Sequence, residues 1–347
     1  MPSAFSRRDF LRFGGASLAS LAFAPLARPG ASFDDSDVVR VATTSVSVYS
    51  SPSDKAAITG TWYKDDLVHV YEQVVAEEPE YNRIWYRVWG GYMHRARLQR
   101  VKTVLNPPLT ALPEGRRMLA EVTVPFVRPW RRTSAGWQDS LEFRLYYESV
   151  YWIEEVVPDG PDGEPWYRIW DDLAGTYFAP ARFLRPIPVE ELNPISPEAA
   201  EKHIDVNLTT QHLSAYENGR VVFQTSISSG IPYGKTATSV GKFRIDPKTP
   251  TKHMGNGNLF AGADDYELPG VPWTSFFTED GQAFHGTYWH DNFGAPMSHG
   301  CLNMRTNEAR WIFRWSSPGY FVNQLLDAAD AKSREVHGNG TTVEVHY

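Results

Sequence analysis

Two near-identical strings constrain this chain more than any other feature: Trp85-Tyr86-Arg87-Val88-Trp89 and Trp166-Tyr167-Arg168-Ile169-Trp170. Each is followed by a tyrosine (Tyr92, Tyr177) and then by Ala96-Arg97-Leu98 or Ala181-Arg182-Phe183-Leu184. A longer loop at 171–174 absorbs the difference in spacing. Repetition of this kind predicts one small structural unit used twice. Upstream of each copy lie strand-like stretches, 67–75 (LVHVYEQVV) and 150–157 (VYWIEEVV), rich in β-branched and aromatic residues. Pro-rich stretches at 105–113 and 186–197 separate the two units and close the pair. With 14% aromatics, 26 Gly and 25 Pro, the chain suits many short strands joined by tight turns. A carbohydrate-binding surface is the less favoured reading of the same aromatics.

From His203 the texture changes. Ile204, Val206 and Leu208 alternate with polar residues, as in a half-buried strand. Glu217-Asn218-Gly219-Arg220 reads as a turn and Val221–Gln224 as the returning strand, so a hairpin is expected. A helix is expected from Asn307 to Trp315, capped by Thr306, with Ala309, Ile312 and Phe313 at helical spacing. The tail Thr341–His346 alternates again after the turn at Gly338-Asn339-Gly340. The fold class is therefore mainly β. It comprises two small β modules (38–101 and 115–187), linkers at 102–114 and 188–202, and a β-dominated domain with one main helix at 203–347.

The N-terminus reads as a targeting segment. Ser6-Arg7-Arg8-Asp9-Phe10-Leu11-Arg12 precedes a small and apolar run from Phe13 to Ala27. That is the layout of a signal peptide, and the run is short of the roughly 20 residues a bilayer span needs. The paired arginines resemble a twin-arginine export signal. Residues 1–31 are assigned to it, with cleavage after Ala27 or Ala31, since Pro25 disfavours Ala24. No other segment suits a membrane span, so the mature protein is expected outside the cytoplasm of a bacterium, in the periplasm, wall or cell surface. Arg7, Arg8, Arg12 and Arg28 against Asp9 give this segment +3, so the remainder carries −7 − 3 = −10. A body this acidic is ill suited to gripping nucleic acid.

Cys301 is the one cysteine. Exported proteins usually hold cysteines as disulfide pairs, and a lone one cannot pair within its chain. It sits in a dense stretch, His285-Gly286-Thr287-Tyr288-Trp289-His290, then 291–297, then Ser298-His299-Gly300-Cys301-Leu302-Asn303-Met304-Arg305. A nearby imidazole can take the thiol proton or stabilise the thiolate. Gly300 leaves room for a substrate carbonyl, and backbone N–H groups at 300–301 can meet an oxyanion. A buried inert thiol and a metal site are the competing readings. The spacing 285, 290, 299, 301 fits no zinc pattern, so no metal or cofactor is expected.

A His, a gap of about a dozen residues, then Ser-His-Gly-Cys-apolar-Asn closely resembles the signature of the YkuD-type L,D-transpeptidases. The resemblance runs from about Ile204 to Val322, through Gly241-Lys242-Phe243-Arg244-Ile245 and Val271-Pro272-Trp273. It implies a β-sandwich-like catalytic domain. It further implies that Cys301 attacks the carbonyl between the third and fourth residues of a peptidoglycan stem peptide, releasing D-Ala and leaving a thioester. A neighbouring stem's side-chain amine then takes the acyl group. His285 is implied as base and acid, oriented by the Gly286 carbonyl, and His299 as shaping the pocket or oxyanion site. Asn303, Tyr288, Trp289, Ser298 and Gly300 are implied around the substrate, while His290 and Asp291 gain no role. The gap from His285 to Ser298 is short for the family, which points to a compact loop over the site. A carbapenem is expected to acylate the cysteine.

The two repeated units resemble bacterial SH3-like domains, which often accompany cell-wall enzymes, as spacers or as ligand-binding modules. A papain-like wall endopeptidase is disfavoured, because there the cysteine precedes its histidine in the chain. An L,D-carboxypeptidase would use the same residues with water as acceptor, and a wall-binding protein would keep the fold without the catalysis.

Overall fold

Both copies of the repeat form the same local structure. Ile84–Val88 and Trp166–Asp171 are strands, each paired antiparallel with the next strand, Gly91–His94 and Gly175–Pro180. The Ala-Arg sequences that follow make single 3-10 turns, Arg95–Arg97 and Ala181–Phe183, leading into Leu98–Val101 and Leu184–Pro186. The repeated Trp-Tyr pairs are buried in both units. The computed structural model describes residues 37–347 apart from 81, 114–115, 141–143, 256–266 and 328–333. The expected signal segment, 1–31, lies outside them. Among the described residues no helix is long and apolar enough to cross a membrane.

In the first unit, Leu67–His69, Val38–Val41 and Leu98–Val101 form one small sheet. A five-stranded sheet runs Ile58–Tyr63, Ser45–Tyr49, Gly91–His94, Ile84–Val88, Glu72–Val75. The stretch 67–75 is thus two strands in two different sheets. The second unit is built on a seven-stranded sheet with Val150–Val157 near its centre.

The C-terminal segment holds two sheets. We number its strands β1 (Lys202–Asn207), β2 (His212–Glu217), β3 (Arg220–Ser226), β4 (Gly241–Arg244), β5 (Lys248–Met254), β6 (Leu268–Phe276), β7 (Ala283–Gly286), β8 (Leu302–Met304) and β9 (Thr342–His346). One sheet runs β3-β2-β1-β9-β4 and the other β5-β6-β7-β8. The expected hairpin is a three-strand meander. The strand from Lys202 returns as β2, and only then does the turn at Asn218-Gly219 lead into β3. The tail strand β9 lies parallel to β1, pairing Ile204 with Val343 and Val206 with Val345.

Two helices lie between β8 and β9, α1 (Thr306–Trp315) and the short α2 (Val322–Asp327), so the segment has a second, short helix beside the main one expected. Thr306 is not the cap of α1. Arg305 occupies that position, with no side-chain cap bond, and Thr306 is buried in the first turn. Ala309, Ile312 and Phe313 face the core as their spacing requires. Each fully buried large apolar side chain contributes about 1.5–3 kcal/mol. At the other end of α1 the buried Lys248 amine donates to the carbonyls of Phe313 (2.8 Å) and Ser316 (2.5 Å). The amine supplies donors where the last helical carbonyls lack partners, while burial lowers it to about 7.

The two repeated units join the C-terminal segment by different means, and Asp35–Tyr347 form one compact unit. The second unit shares an apolar core with it: Leu119, Val150 and Trp152 pack with Ile204, Trp273 and Phe284. The first unit keeps its own small core. It attaches through polar groups, and the centre of that attachment is Arg40, 2% exposed. Its guanidinium donates to Gln99 Oε1 (2.9 and 3.2 Å), Asp65 (3.1 Å) and the Tyr288 carbonyl (2.8 Å), and lies 4.1 Å over the Tyr146 ring. Around it, Asp291 N–H donates to Leu98 O (2.9 Å), Arg100 N–H to the Asp291 carboxylate, Asn82 to Asn292, and Arg95 to Phe293 O (3.2 Å). The first unit is therefore more than a spacer. It grips residues 288–293.

Candidate active site

β7 and β8 run parallel, pairing Phe284 with Leu302, His285 with Asn303 and Gly286 with Met304. Alternation along a strand sends Phe284, Leu302 and Met304 to one face, where all three join the core. The other face receives His285 and Asn303, and Cys301, two residues before Asn303, belongs to that face too. The apolar–polar alternation of 283–286 and 301–304 thus places the sole thiol and a buried imidazole on the same side of adjacent strands.

The cysteine sits at the end of a tight turn. Ser298 Oγ donates to Cys301 O (2.5 Å) and accepts from the Gly300 N–H (3.1 Å). Gly300 has φ +125°, a conformation other residues rarely adopt, and an added Cβ would stand 3.1 Å from Gln282. Segment 227–231 zips along this turn. Ser229 O accepts from Met297 and Ser298, Ser298 O accepts from Ile231, and Ser228 exchanges both backbone bonds with Asn303. Thr238 Oγ1 donates to Gly300 O at 2.8 Å. The nucleophile turn is therefore held on both flanks, and the Gly300 N–H is spent within it.

His285 is fully buried, and its Nδ1 donates to the Gly286 carbonyl at 3.0 Å. That bond fixes the tautomer, because Nδ1 carries the proton and Nε2 keeps its lone pair. Nε2 is buried with no partner among the described residues. Burial pushes the imidazole down to about 4, against a smaller upward pull from the Gly286 bond. Burial also pushes the Cys301 thiol up to about 11, with the backbone at Ala283 opposing and Asp280 adding to the rise. The half-buried thiol makes a long contact, 3.8 Å, to Gly281 O. At neutral pH the resting pair is thus neutral thiol and neutral imidazole, an uncharged base awaiting a proton.

Reagent chemistry can test that state. A group titrating near 11 is about one ten-thousandth thiolate at pH 7. Alkylation of Cys301 by iodoacetamide is expected to accelerate about tenfold per pH unit to beyond pH 9.5. An ordinary cysteine levels off near 8.5. The unfolded chain serves as control. A plateau below pH 8 in the folded protein would show an ion pair instead.

His290, which sequence reasoning left without a role, governs Asn303. Its Nδ1 accepts from Asn292 N–H (3.1 Å). Burial and the neighbouring Arg97 push its imidazole down to about 3, so it is neutral. A neutral ring whose Nδ1 is an acceptor must carry its proton on Nε2. Asn303 Nδ2 lies 2.9 Å from that Nε2, while Asn303 Oδ1 is buried without a partner among the described residues. The two ends of an amide have the same shape, and exchanging them satisfies both groups. Oδ1 then accepts from His290, and the Asn303 amide nitrogen becomes a donor on the face shared with His285 and Cys301.

The remaining expected residues divide. His299 is exposed beside the turn. Trp289 is half-buried, its ring 5.6 Å from that of His285. Tyr288 does not line a pocket. It is 1% exposed, its hydroxyl donates to Pro269 O (2.7 Å), and its ring stacks on Tyr146 at 5.6 Å. Packing against the second unit accounts for its ring, and Arg40 of the first unit holds its carbonyl. Asp291 is likewise a docking residue, held by the Arg100 N–H. Among the described residues there is no group of three or more His, Cys, Asp or Glu that could hold a metal ion.

Residues 201–345 match the family model of the L,D-transpeptidase catalytic domain, YkuD. YqjB of Bacillus subtilis (strain 168), provisionally named an L,D-transpeptidase, is 26% identical over 125 residues, covering 34% of this chain and 68% of that protein. The chain is also similar to an Enterococcus faecium L,D-transpeptidase solved as a cysteine-to-serine mutant. The identity is 24% and the TM-score 0.31, over 43% of this chain and 51% of that one. It thus spans about half the length of that solved chain. A third similarity is to the L,D-transpeptidase LdtMt1 solved with imipenem, at 16% identity and TM-score 0.33, over 70% of this chain and 94% of that one. The segment 201–345 thus matches the L,D-transpeptidase catalytic domain, and both Cys301 and His285 lie inside the matched residues.

Proposed function

We propose that this chain is an exported cysteine acyltransferase that crosslinks peptidoglycan stem peptides by L,D-transpeptidation. The observation that carries the proposal is the tautomer of His285. Gly286 O holds Nδ1–H, and an unpartnered Nε2 remains on the face that Cys301 shares. Rotation of the thiol away from Gly281 O brings its proton to that nitrogen. Sγ then attacks the carbonyl between the third and fourth stem residues. The C–N bond breaks as the imidazolium returns the proton to the departing D-Ala amine, and the third residue is held as a thioester. A side-chain amine from a second stem attacks the thioester, His285 takes its proton, and the thiol is restored.

The charge that develops on the substrate oxygen is met by the Cys301 N–H and the Asn303 amide nitrogen, preorganised donors in a site of low dielectric. Ser298 and Gly300 hold the turn, while His299 and Trp289 contact the stem at the rim. Residues 1–31 direct the export. The two repeated units are read as SH3-like modules.

Mass analysis of products from a defined tetrapeptide, with and without an amine acceptor, tests this function. The expected product is a crosslink through the third residue, formed only when the amine is present. Tripeptide alone in both arms would make the protein a carboxypeptidase, cleavage at another bond an endopeptidase, and no turnover a wall-binding protein.

A further inference from the structure

A cleft of about 550 Å³ opens where the first unit, Tyr147 and Glu148 of the second unit, and the C-terminal segment meet, at the ends of β7 and β8 remote from Cys301. The nucleophile is not part of it. Four cationic side chains line it: Arg95 and Arg100 from the first unit, Lys102 from the start of the linker that follows it, and Arg305 from the start of α1. Two carboxyl groups oppose them. Asp291 already accepts from the Arg100 N–H. Glu148 is pushed up to about 7 by burial, so roughly half of it is neutral at pH 7. The cleft is positive overall.

Three features show unspent hydrogen-bonding capacity there. The N-terminus of the ten-residue α1 opens beside Asn307, which lines the cleft, and receives no side-chain cap. Its first N–H groups carry the positive end of the helix dipole. Thr287, 2% exposed, lines the cleft with a buried hydroxyl that has no partner among the described residues. Arg95 Nε is likewise buried and unpartnered among them, while Nη2 is used on Phe293 O. Unsatisfied buried donors are costly unless something completes them. Helix N–H groups, an unused hydroxyl and several guanidinium groups around one volume are the donor set that oxyanions need.

We propose that this cleft is a binding site for an oxyanion-bearing ligand, with carboxylate or phosphoryl oxygens seated on the α1 N-terminus, Thr287 and Arg95. Its volume suits a small molecule or the end of a chain better than a bare ion. Lys102 is exposed at the mouth and Arg305 lies 4.8 Å over the Phe293 ring, where it also pairs with Glu308. The site stands on the cleft's own chemistry and does not depend on the transpeptidase reading.

The test titrates full-length protein with citrate as the carboxylate probe and glycerol 3-phosphate as the phosphoryl probe. Binding is followed by calorimetry and by the amide signals of Thr287 and Asn307. Saturable binding of one probe, with shifts at those amides, is expected, and the preferred probe identifies the oxyanion class. Removing one charge-assisted bond should weaken affinity by about tenfold or more, so Arg95→Gln is expected to lose binding, while Lys102→Gln, at the mouth, should weaken it measurably through the lost charge. Lys102→Gln changes an exposed side chain, which keeps the test clear of folding defects. No saturation by either probe, shifts confined to other surfaces, or unchanged affinity in both variants would overturn the site.

Discussion

Replacing Cys301 with alanine is expected to end both turnover and covalent capture. A carbapenem should raise the intact mass of the native protein by one drug equivalent, because ring opening leaves an acyl group on sulfur. Cys301→Ala should show no rise, and its turnover should fall on the order of 10⁴-fold or more, as when other nucleophiles are removed. His285 is the natural companion variant. It is fully buried, so alanine would open a cavity as well as remove the base, and His285→Gln is the cleaner change. Loss of a positioned base typically costs about 10²–10⁴-fold. Intact mass spectrometry and product assays read both. An adduct that survives in Cys301→Ala would remove the thiol from the chemistry. Near-native turnover in His285→Gln would remove the imidazole from the base role.

Arg40→Met should destabilise the protein by about 3–5 kcal/mol, the usual cost of removing one partner from a buried ionic network. The substitution keeps the stem packed but strands Gln99 and the Tyr288 carbonyl, both served by Arg40. Asp65 retains Arg144 at 3.0 Å, which holds the loss within that range. For a unit of this size the melting temperature should fall by about 5–8 °C. Activity should fall further than stability alone requires, because residues 288–293 lose their central anchor, and His290 with its hold on Asn303 lies among them. Thermal melting and turnover measured well below the transition separate the two effects. A variant within about 1 kcal/mol of the native protein, with unchanged turnover, would show that the first unit does not support the site.

The sequence patterns that proved legible all involve one face of one element. The repeat, the tail strand and the core face of α1 each follow a periodicity of two or 3.6 residues, and apolar burial enforces both. The thiol and imidazole were legible because their chemistry is rare and their motif dense. The missed features have no such period. β2 carries the alternation of Leu213 and Ala215 with polar His212 and Ser214, and was overlooked because the turn at Asn218-Gly219 drew the hairpin directly from β1 to β3. Thr306 looked like a cap, but it is buried and Arg305 takes the position. The grip of the first unit on 288–293 runs through main-chain carbonyls and N–H groups, which every residue possesses. Asn82 and Asn292, which pair across this contact, are polar residues that the structure buries. His290 was missed for a similar reason, since its work is to turn an amide round rather than to meet substrate.

The bond from Arg40 to the Tyr288 carbonyl joins residues 248 positions apart. Chains are made from the N-terminus at roughly 5–20 residues per second, so about 12–50 s separate the synthesis of its two ends. Throughout that interval the guanidinium has no carbonyl to serve, and the first unit has a docking face with nothing on it. The catalytic loop, by contrast, meets a waiting surface as soon as it is made. Assembly of this site is therefore ordered in time, with the clamp present before the part it holds.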